Sequence, residues 1–144
     1  MTLRIRHATA DDVEALASLI TQLGYPSDVR QTAQRLQRLP PGCAIVLVAV
    51  DEGMALGWIH VSMQASFLLD DTAEIMGLIV DQGHRGQGIG RALLSAAELW
   101  AVQNRCSTLL VRTNIVRQRA HGFYFQNGFQ HTKTSLTLTK HLDQ

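Results

Sequence analysis

The sequence predicts an α+β fold with the element order β-α-α-β-β-β-α-β-α-β. Three observations carry that reading. Residues 44–50 are an unbroken apolar run, the pattern of a strand covered on both faces. Asp51-Glu52-Gly53 then turns the chain back into a second run over 54–63, a hairpin signal. A third apolar strand, 73–80, feeds a glycine-rich turn and then an amphipathic helix from Ile89. No repeat, low-complexity segment or linker interrupts the pattern, so the 144 residues are read as one domain, 1–144, large enough to bury a core.

Each element has its own signal. Residues 3–6 alternate apolar and basic as a first strand. Thr9, with Asp12 three positions on, is a near capping box. Val13, Leu16, Ala17, Ile20 and Leu23 then recur at helical spacing until Gly24-Tyr25-Pro26 ends the helix. Ser27 or Asp28 caps a second helix with Val29, Ala33 and Leu36 inward, closed by Pro40-Pro41-Gly42. Residues 66–72, carrying Asp70 and Asp71, read as a loop before the fourth strand. The helix over 89–104 buries Ile89, Leu93, Leu94, Ala97 and Ala101, with Trp100 flanking that stripe. Residues 108–113 form a fifth strand, and 117–127 a helix with Gly128 placed for a left-handed cap. Residues 129–139 supply one last strand or two.

Composition removes several function classes. Thirteen basic and twelve acidic side chains leave a net charge of +1, far from the basic field that nucleic-acid binding needs. No apolar stretch approaches the roughly 20 residues of a membrane span, and residues 1–4 lead into no signal-peptide core. Cys43 and Cys106 fall in no CxxC or zinc spacing; both read as buried free thiols in a reducing compartment. The expectation is a cytoplasmic protein without metal.

Residues 80–91 are the most informative stretch. Gly83, Gly86, Gly88 and Gly90 lie between a strand and a helix, beside His84 and Arg85. Unpaired backbone N–H groups at such a helix start, with about half a positive charge from the helix dipole, bind phosphate. Gly86 and Gly88 are followed by Arg91 where a dinucleotide fingerprint has its third glycine, and Gly83 and Gly88 lack the Lys-Ser/Thr of a Walker A loop. Arg85-Gly86-Gln87-Gly88-Ile89-Gly90 instead resembles the Arg/Gln-x-x-Gly-x-Gly/Ala signature of the GNAT family of N-acetyltransferases. The segment from Ala120 to Phe129 resembles that family's late Phe-Tyr-x-x-x-Gly-Phe stretch, and the element order matches along the whole chain. The resemblance implies a mixed, mostly antiparallel central sheet of six to seven strands flanked by about four helices. It also implies acetyl-CoA as co-substrate and an amine, small-molecule or peptide, as acceptor, with a homodimer left open.

The resemblance assigns roles residue by residue. Backbone amides from Gln87 to Gly90, including Gly88 and Ile89, would face the pyrophosphate, with Gly86 shaping the turn and Arg85 adding a cation. Backbone groups of Leu78, Ile79 and Val80 would pair with the pantetheine arm as an added strand does, and Gly77 suits a bulge or close approach there. Tyr124 is the candidate acid for the departing thiolate, and Glu74 the candidate base for the amine. Relatives often carry a second acid two positions after Glu74, where this chain has Met76. His60 and His121 are weaker alternatives for the base. Asn114 is a candidate pantetheine contact or, in the plainer reading, a loop cap. Neither cysteine neighbours a histidine, which favours direct attack in a ternary complex over an acetyl-cysteine route. The competing reading is a CoA-binding regulatory or interaction module of the same fold; an oxidoreductase is a distant third.

Overall fold

The alternation at the N-terminus forms β1 (Leu3–His7), and the two helical patterns that follow form α1 (Val13–Gln22) and α2 (Val29–Arg38). Then come β2 (Ala44–Asp51), β3 (Met54–Gln64), β4 (Thr72–Val80), α3 (Ile89–Gln103), β5 (Leu109–Val111) and α4 (Gln118–Gln126). The structure, a computed structural model, describes residues 1–143. They form two compact units, one from Met1 to Arg112 and one beginning at Thr113.

In the first unit the sheet order is β1-β2-β3-β4-β5. The first four strands pair antiparallel, and β5 pairs parallel to β4. The β2–β3 hairpin closes through Glu52 and Gly53, whose φ angles of 50° and 78° give the twist a two-residue turn needs. Parallel pairing of β4 with β5 requires a crossover, which α3 supplies. Arg6, Val48, Trp58 and Ile79 stand side by side on one face. Val48, Trp58 and Ile79 pack there with Leu16 and Leu19 of α1 into a buried cluster. The opposite face takes α3: a Cβ on Gly57 would lie 3.3 Å from Leu93 Cδ1. The consecutive residues Val48 and Ala49 are both 0% exposed, so β2 is covered on both faces as its unbroken apolar run required.

The start of α1 is tied to β1 by one carboxylate. Asp12, 7% exposed, accepts from Arg6 Nη1 and Nη2 at 2.8 and 2.9 Å and from the Thr9 backbone N–H at 2.7 Å. That third bond is the back half of the capping box. Arg6 faces α1 because alternation puts it on the same side as Val48.

The second unit contains α4, which ends in a Schellman motif. Gly128 has φ 89°, Gly128 N–H donates to Phe125 O at 3.2 Å, and Phe129 N–H donates to Tyr124 O at 3.0 Å. Beyond it the expected last strand is absent: residues 130–143 carry no strand, so the sheet has five strands rather than six to seven. The segment offers three large apolar residues to a sheet face, Leu136, Leu138 and Leu142, and they are 87%, 88% and 69% exposed. Without buried side chains its alternation gains no ladder. The thiols also divide. Cys106 is buried, and burial raises its pKa, whereas Cys43 is exposed in the turn after α2 rather than buried.

Asp12 supplies a pH-dependent part of the stability. The Arg6 hydrogen bonds hold its carboxyl below the ordinary aspartate range, so near that range the unfolded chain binds more protons than the folded one. Stability from this group is present above the unfolded pKa, about 4, and is lost as pH falls through the depressed folded value. Asp12→Asn is expected to cost about 1–3 kcal/mol at pH 7, the scale of a broken charged hydrogen-bond set. Urea titrations at pH 7 and pH 3 check this: the gap between the two proteins should narrow at the lower pH, and an equal gap at both would dismiss the ionic account.

Candidate functional site

β4 runs out at Val80 directly into the glycine-rich turn. Asp81 opens a short 3-10 turn (Gln82–His84) by accepting from Gly83 N–H at 3.2 Å, and its Oδ2 also meets His84 Nδ1 at 2.8 Å. Gly86 and Gly88 follow with φ angles of 80° and 83°. A Cβ on either would meet nothing within 4 Å, so the backbone conformation, not crowding, calls for glycine, and the space beside each backbone is open. Gly88 is the N-cap of α3, and the first intrahelical bond is Ala92 N–H to Gly88 O at 3.0 Å. The amides of Gly88, Ile89, Gly90 and Arg91 therefore precede any helical carbonyl partner. Ile89, 1% exposed, anchors this end of the helix in the core, while Arg85 and Gln87 stay exposed on the turn.

Beside the turn, β4 has an open edge. Its pairing with β5 covers only Ala73, Glu74 and Ile75, and no described strand pairs with 76–80 on that side. Asp81 N–H donates to Leu56 O of β3 at 2.7 Å. Peptide groups alternate sides along a strand, so Ile79 turns its groups toward β3 while Leu78 and Val80 present theirs to the open edge. Consistent with this, Val80 O accepts from Arg85 Nε at 3.3 Å. Ile79 instead buries its side chain, at 5% exposure, beside Trp58. The β3 register passes from His60 opposite Gly77 to Val61 opposite Ile75, which leaves Met76 as the extra residue of a bulge. A Cβ on Gly77 would sit 2.8 Å from two Trp58 ring carbons, so the close approach at Gly77 is to the indole.

Glu74 sits one bulge away. It is 7% exposed, so it is not a solvated strand residue. Arg112, just past β5, donates to its Oε1 at 2.5 Å. Glu74 pairs with Ser62 and so shares a sheet face with His60. Desolvation lowers the His60 pKa and favours the neutral ring. Its Nε2, like Trp58 Nε1, is buried without a hydrogen-bond partner among the described residues. Asp70 and Asp71 are exposed in the preceding loop.

In the second unit, Tyr124 lies on α4 with its ring edge-on to Phe123 and Phe129 at centroid distances of 5.2 and 5.3 Å. Burial raises its phenol pKa above the ordinary value. Asn114 Oδ1 accepts from Val116 N–H at 3.1 Å, a loop cap that leaves its amide NH₂ free of that bond. His121 Nε2 sits 2.8 Å from Asn114 O, and so helps join α4 to the loop before it.

Two side chains at the site were not singled out from sequence. Gln22, the last residue of α1, donates to Asp81 Oδ1 at 2.8 Å and accepts from Gln82 N–H at 3.0 Å. Nothing local marks it, because its partners lie 59 and 60 positions away. Arg112 had a signal: an acid on an otherwise apolar strand requires a cation or hydrogen bonds nearby.

A profile of the acetyltransferase (GNAT) family matches residues 11–129. The aminoalkylphosphonate N-acetyltransferase of Salmonella typhimurium is 33% identical over 140 residues, covering 92% of this chain and 88% of that protein. Among solved structures, the apo aminoglycoside 6'-N-acetyltransferase of Acinetobacter haemolyticus superposes with a TM-score of 0.85 at 21% identity, covering 97% of this chain and 99% of the other. AAC(6')-Iy in complex with the bisubstrate analog CoA-S-monomethyl-acetylneamine gives 0.83 at 20% identity, covering 99% of this chain and 100% of the other.

The Glu74–Arg112 pair has a measurable signature. Arg112→Met leaves the buried carboxylate without its cation and is expected to cost about 1–3 kcal/mol. Adding Glu74→Gln should recover much of that loss, because no charge then remains unpaired. A double-mutant cycle by denaturant unfolding measures the coupling; strictly additive effects would mean that the pair contributes nothing.

Proposed function

The chain belongs to the acetyltransferase (GNAT) family, and we propose that it moves the acetyl group of acetyl-CoA to a primary amine by direct attack in a ternary complex. The observation that carries this reading is the turn between β4 and α3, with unpartnered helix-start amides next to an unpaired strand edge. That arrangement fits the co-substrate. The open space beside Gly86 and Gly88 admits a pyrophosphate to amides from Gln87 through Gly90, Ile89 among them, with Arg85 as the cation. Leu78 and the Val80 N–H offer edge peptide groups to the amide-bearing pantetheine arm, the Val80 carbonyl being held by Arg85, while Ile79 holds the strand from the core side. The free Asn114 amide is assigned to the same arm. Bound acetyl-CoA supplies a thioester carbonyl open to attack by a neutral amine.

An alkylamine of pKa about 10.4 costs about 4.6 kcal/mol to deprotonate at pH 7, about 3.4 units at about 1.36 each. Glu74 is assigned to take that proton, directly or through a water, with Arg112 orienting its carboxylate. Tyr124 is assigned to return a proton to the departing thiolate. Its raised pKa keeps the phenol protonated through the neutral range. The same shift makes transfer to a thiolate, whose own acid lies near 8.5, uphill unless it is concerted with C–S cleavage. Residues 1–144 are taken as one catalytic domain. A small-molecule amine is the preferred acceptor class. The names of the aminoalkylphosphonate and aminoglycoside enzymes that this chain resembles support that choice.

Calorimetry with acetyl-CoA tests the cradle. Gly88→Ala carries only the strain of a positive φ, about 1 kcal/mol. Gly88→Asp adds a carboxylate against the pyrophosphate and should weaken binding by at least a further tenfold. Equal affinity across all three proteins would end the phosphate assignment.

Tyr124→Phe isolates the acid. It should leave acetyl-CoA affinity unchanged and lower kcat by ~10²-fold or more, measured with whichever aminoalkylphosphonate or aminoglycoside turns over. Activity within twofold of the unmodified protein would make Tyr124 a packing residue.

A further inference from the structure

The turn proposed to hold acetyl-CoA does not stand alone on β4. Gln22, half-buried at the last position of α1, clamps it from the other side of the sequence. Its amide NH₂ donates to Asp81 Oδ1 at 2.8 Å, and its amide oxygen accepts the Gln82 backbone N–H at 3.0 Å. One planar group thus reads a side chain and a main-chain donor together, which fixes both the direction and the height of the turn relative to α1. Asp81 relays the hold. Its other oxygen takes Gly83 N–H and faces His84 Nδ1, and its own N–H is pinned to Leu56 O of β3. On the far side of Gln22 the helix stops. Leu23 is the C-cap, Gly24 turns with φ 101°, and the chain runs through exposed Tyr25 and Pro26 to Asp28, which caps α2.

We propose that Gln22 is a positioning residue that couples the pyrophosphate turn to the loop joining α1 and α2. Occupancy of the turn and ordering of residues 23–28 are then one event, and the loop between α1 and α2 tightens only when acetyl-CoA is in place. The physical basis is the bidentate bond. A bound pyrophosphate damps the motion of Asp81 and Gln82 together, and Gln22 is the last helical residue before the loop, so that damping is passed to residues that no other described hydrogen bond ties to the turn. The clamp is neutral on the Gln22 side, so its geometry does not depend on titration of Gln22. This proposal rests on the acetyl-CoA reading above.

Amide hydrogen exchange on the full chain, with and without acetyl-CoA, tests it. In the unmodified protein, acetyl-CoA should slow exchange in 82–91 and also in 23–28. Gln22→Leu keeps an apolar stem, one atom shorter, and loses both hydrogen bonds. It should weaken acetyl-CoA binding about tenfold by calorimetry, retain slowing at 82–91 when saturated, and lose it at 23–28. A polarity swap separates coupling from simple loss of packing. Gln22→Glu alone sets a carboxylate against Asp81 and should behave like Gln22→Leu. Combined with Asp81→Asn, the new amide donates to the new carboxylate, which still accepts from Gln82 N–H, and the response at 23–28 should return. Slowing at 82–91 without slowing at 23–28 in the unmodified protein overturns the coupling alone. So does an unchanged response at 23–28 in Gln22→Leu, or a swap that fails to restore it. No slowing at 82–91 in the unmodified protein overturns the acetyl-CoA reading and this proposal with it.

Discussion

The pairing of β4 governs the rest of the structure. On one side it is bound to β3 everywhere but at the Met76 bulge; on the other, β5 follows it for three residues and then leaves. A strand fully paired on both sides has no peptide group to offer a ligand. A strand unpaired on one side throughout would be an edge open to any other strand. The partial pairing gives neither. Ala73, Glu74 and Ile75 are locked into the sheet, and the stretch after the Met76 bulge keeps its position through β3 while its outer groups, apart from the Val80 carbonyl held by Arg85, stay available. Just past the bulge, packing calls for glycine, because the Trp58 ring occupies the space that a side chain at position 77 would need.

The end of β4 then sets two demands against each other. A helix start that binds an anion must keep its first amides unpaired, which costs stability when no ligand is present. The turn offsets this with bonds that leave those amides alone. Asp81 satisfies the preceding amides and side chains, Ile89 buries the first helical side chain, and Gln22 takes the Gln82 N–H. Rigidity sits just before the glycines and just after them, and freedom from internal partners sits between. A preorganised anion site needs that division, since ordering a loose loop on binding costs roughly 1 kcal/mol or more for each residue fixed.

What was legible in the sequence follows the range of the interactions. The helices and first four strands rest on periodicity and on turn residues close by in the chain: Glu52-Gly53, the Asp28 cap and Gly128 each act within a few positions. The glycine turn was legible for the same reason, since its conformation is local. The final strand was misread because its pattern is strand-like while its outcome depends on a neighbour to pair with, and residues 130–143 bury no large apolar face. Gln22 was missed because its partners lie far along the chain and no spacing rule marks it, and Arg112 because the acid at position 74 calls for a cation without saying which one. Cys43 was placed inside on residue type alone, whereas the turn Pro40–Cys43, closed by the Cys43 N–H to Pro40 O bond, holds it outside.

Glu74 is where packing and the proposed chemistry press hardest on each other. A carboxylate at 7% exposure among Ala73 and Ile75 needs a cation, and a cation in turn competes with the proton a base must accept. The geometry resolves part of that conflict. Arg112 engages Oε1, so one oxygen carries the ion pair and Oε2 remains for a proton or a water. The guanidinium itself is 70% exposed, which screens its attraction and leaves the pair weaker than a fully buried one. Arg112 also stands where β5 has just left β4, so the break in pairing that opens the β4 edge is the same feature that brings the cation to Glu74. In this fold the buried carboxylate is held by a partner at the surface, so the sheet tolerates the acid while the guanidinium that pairs with it stays in water.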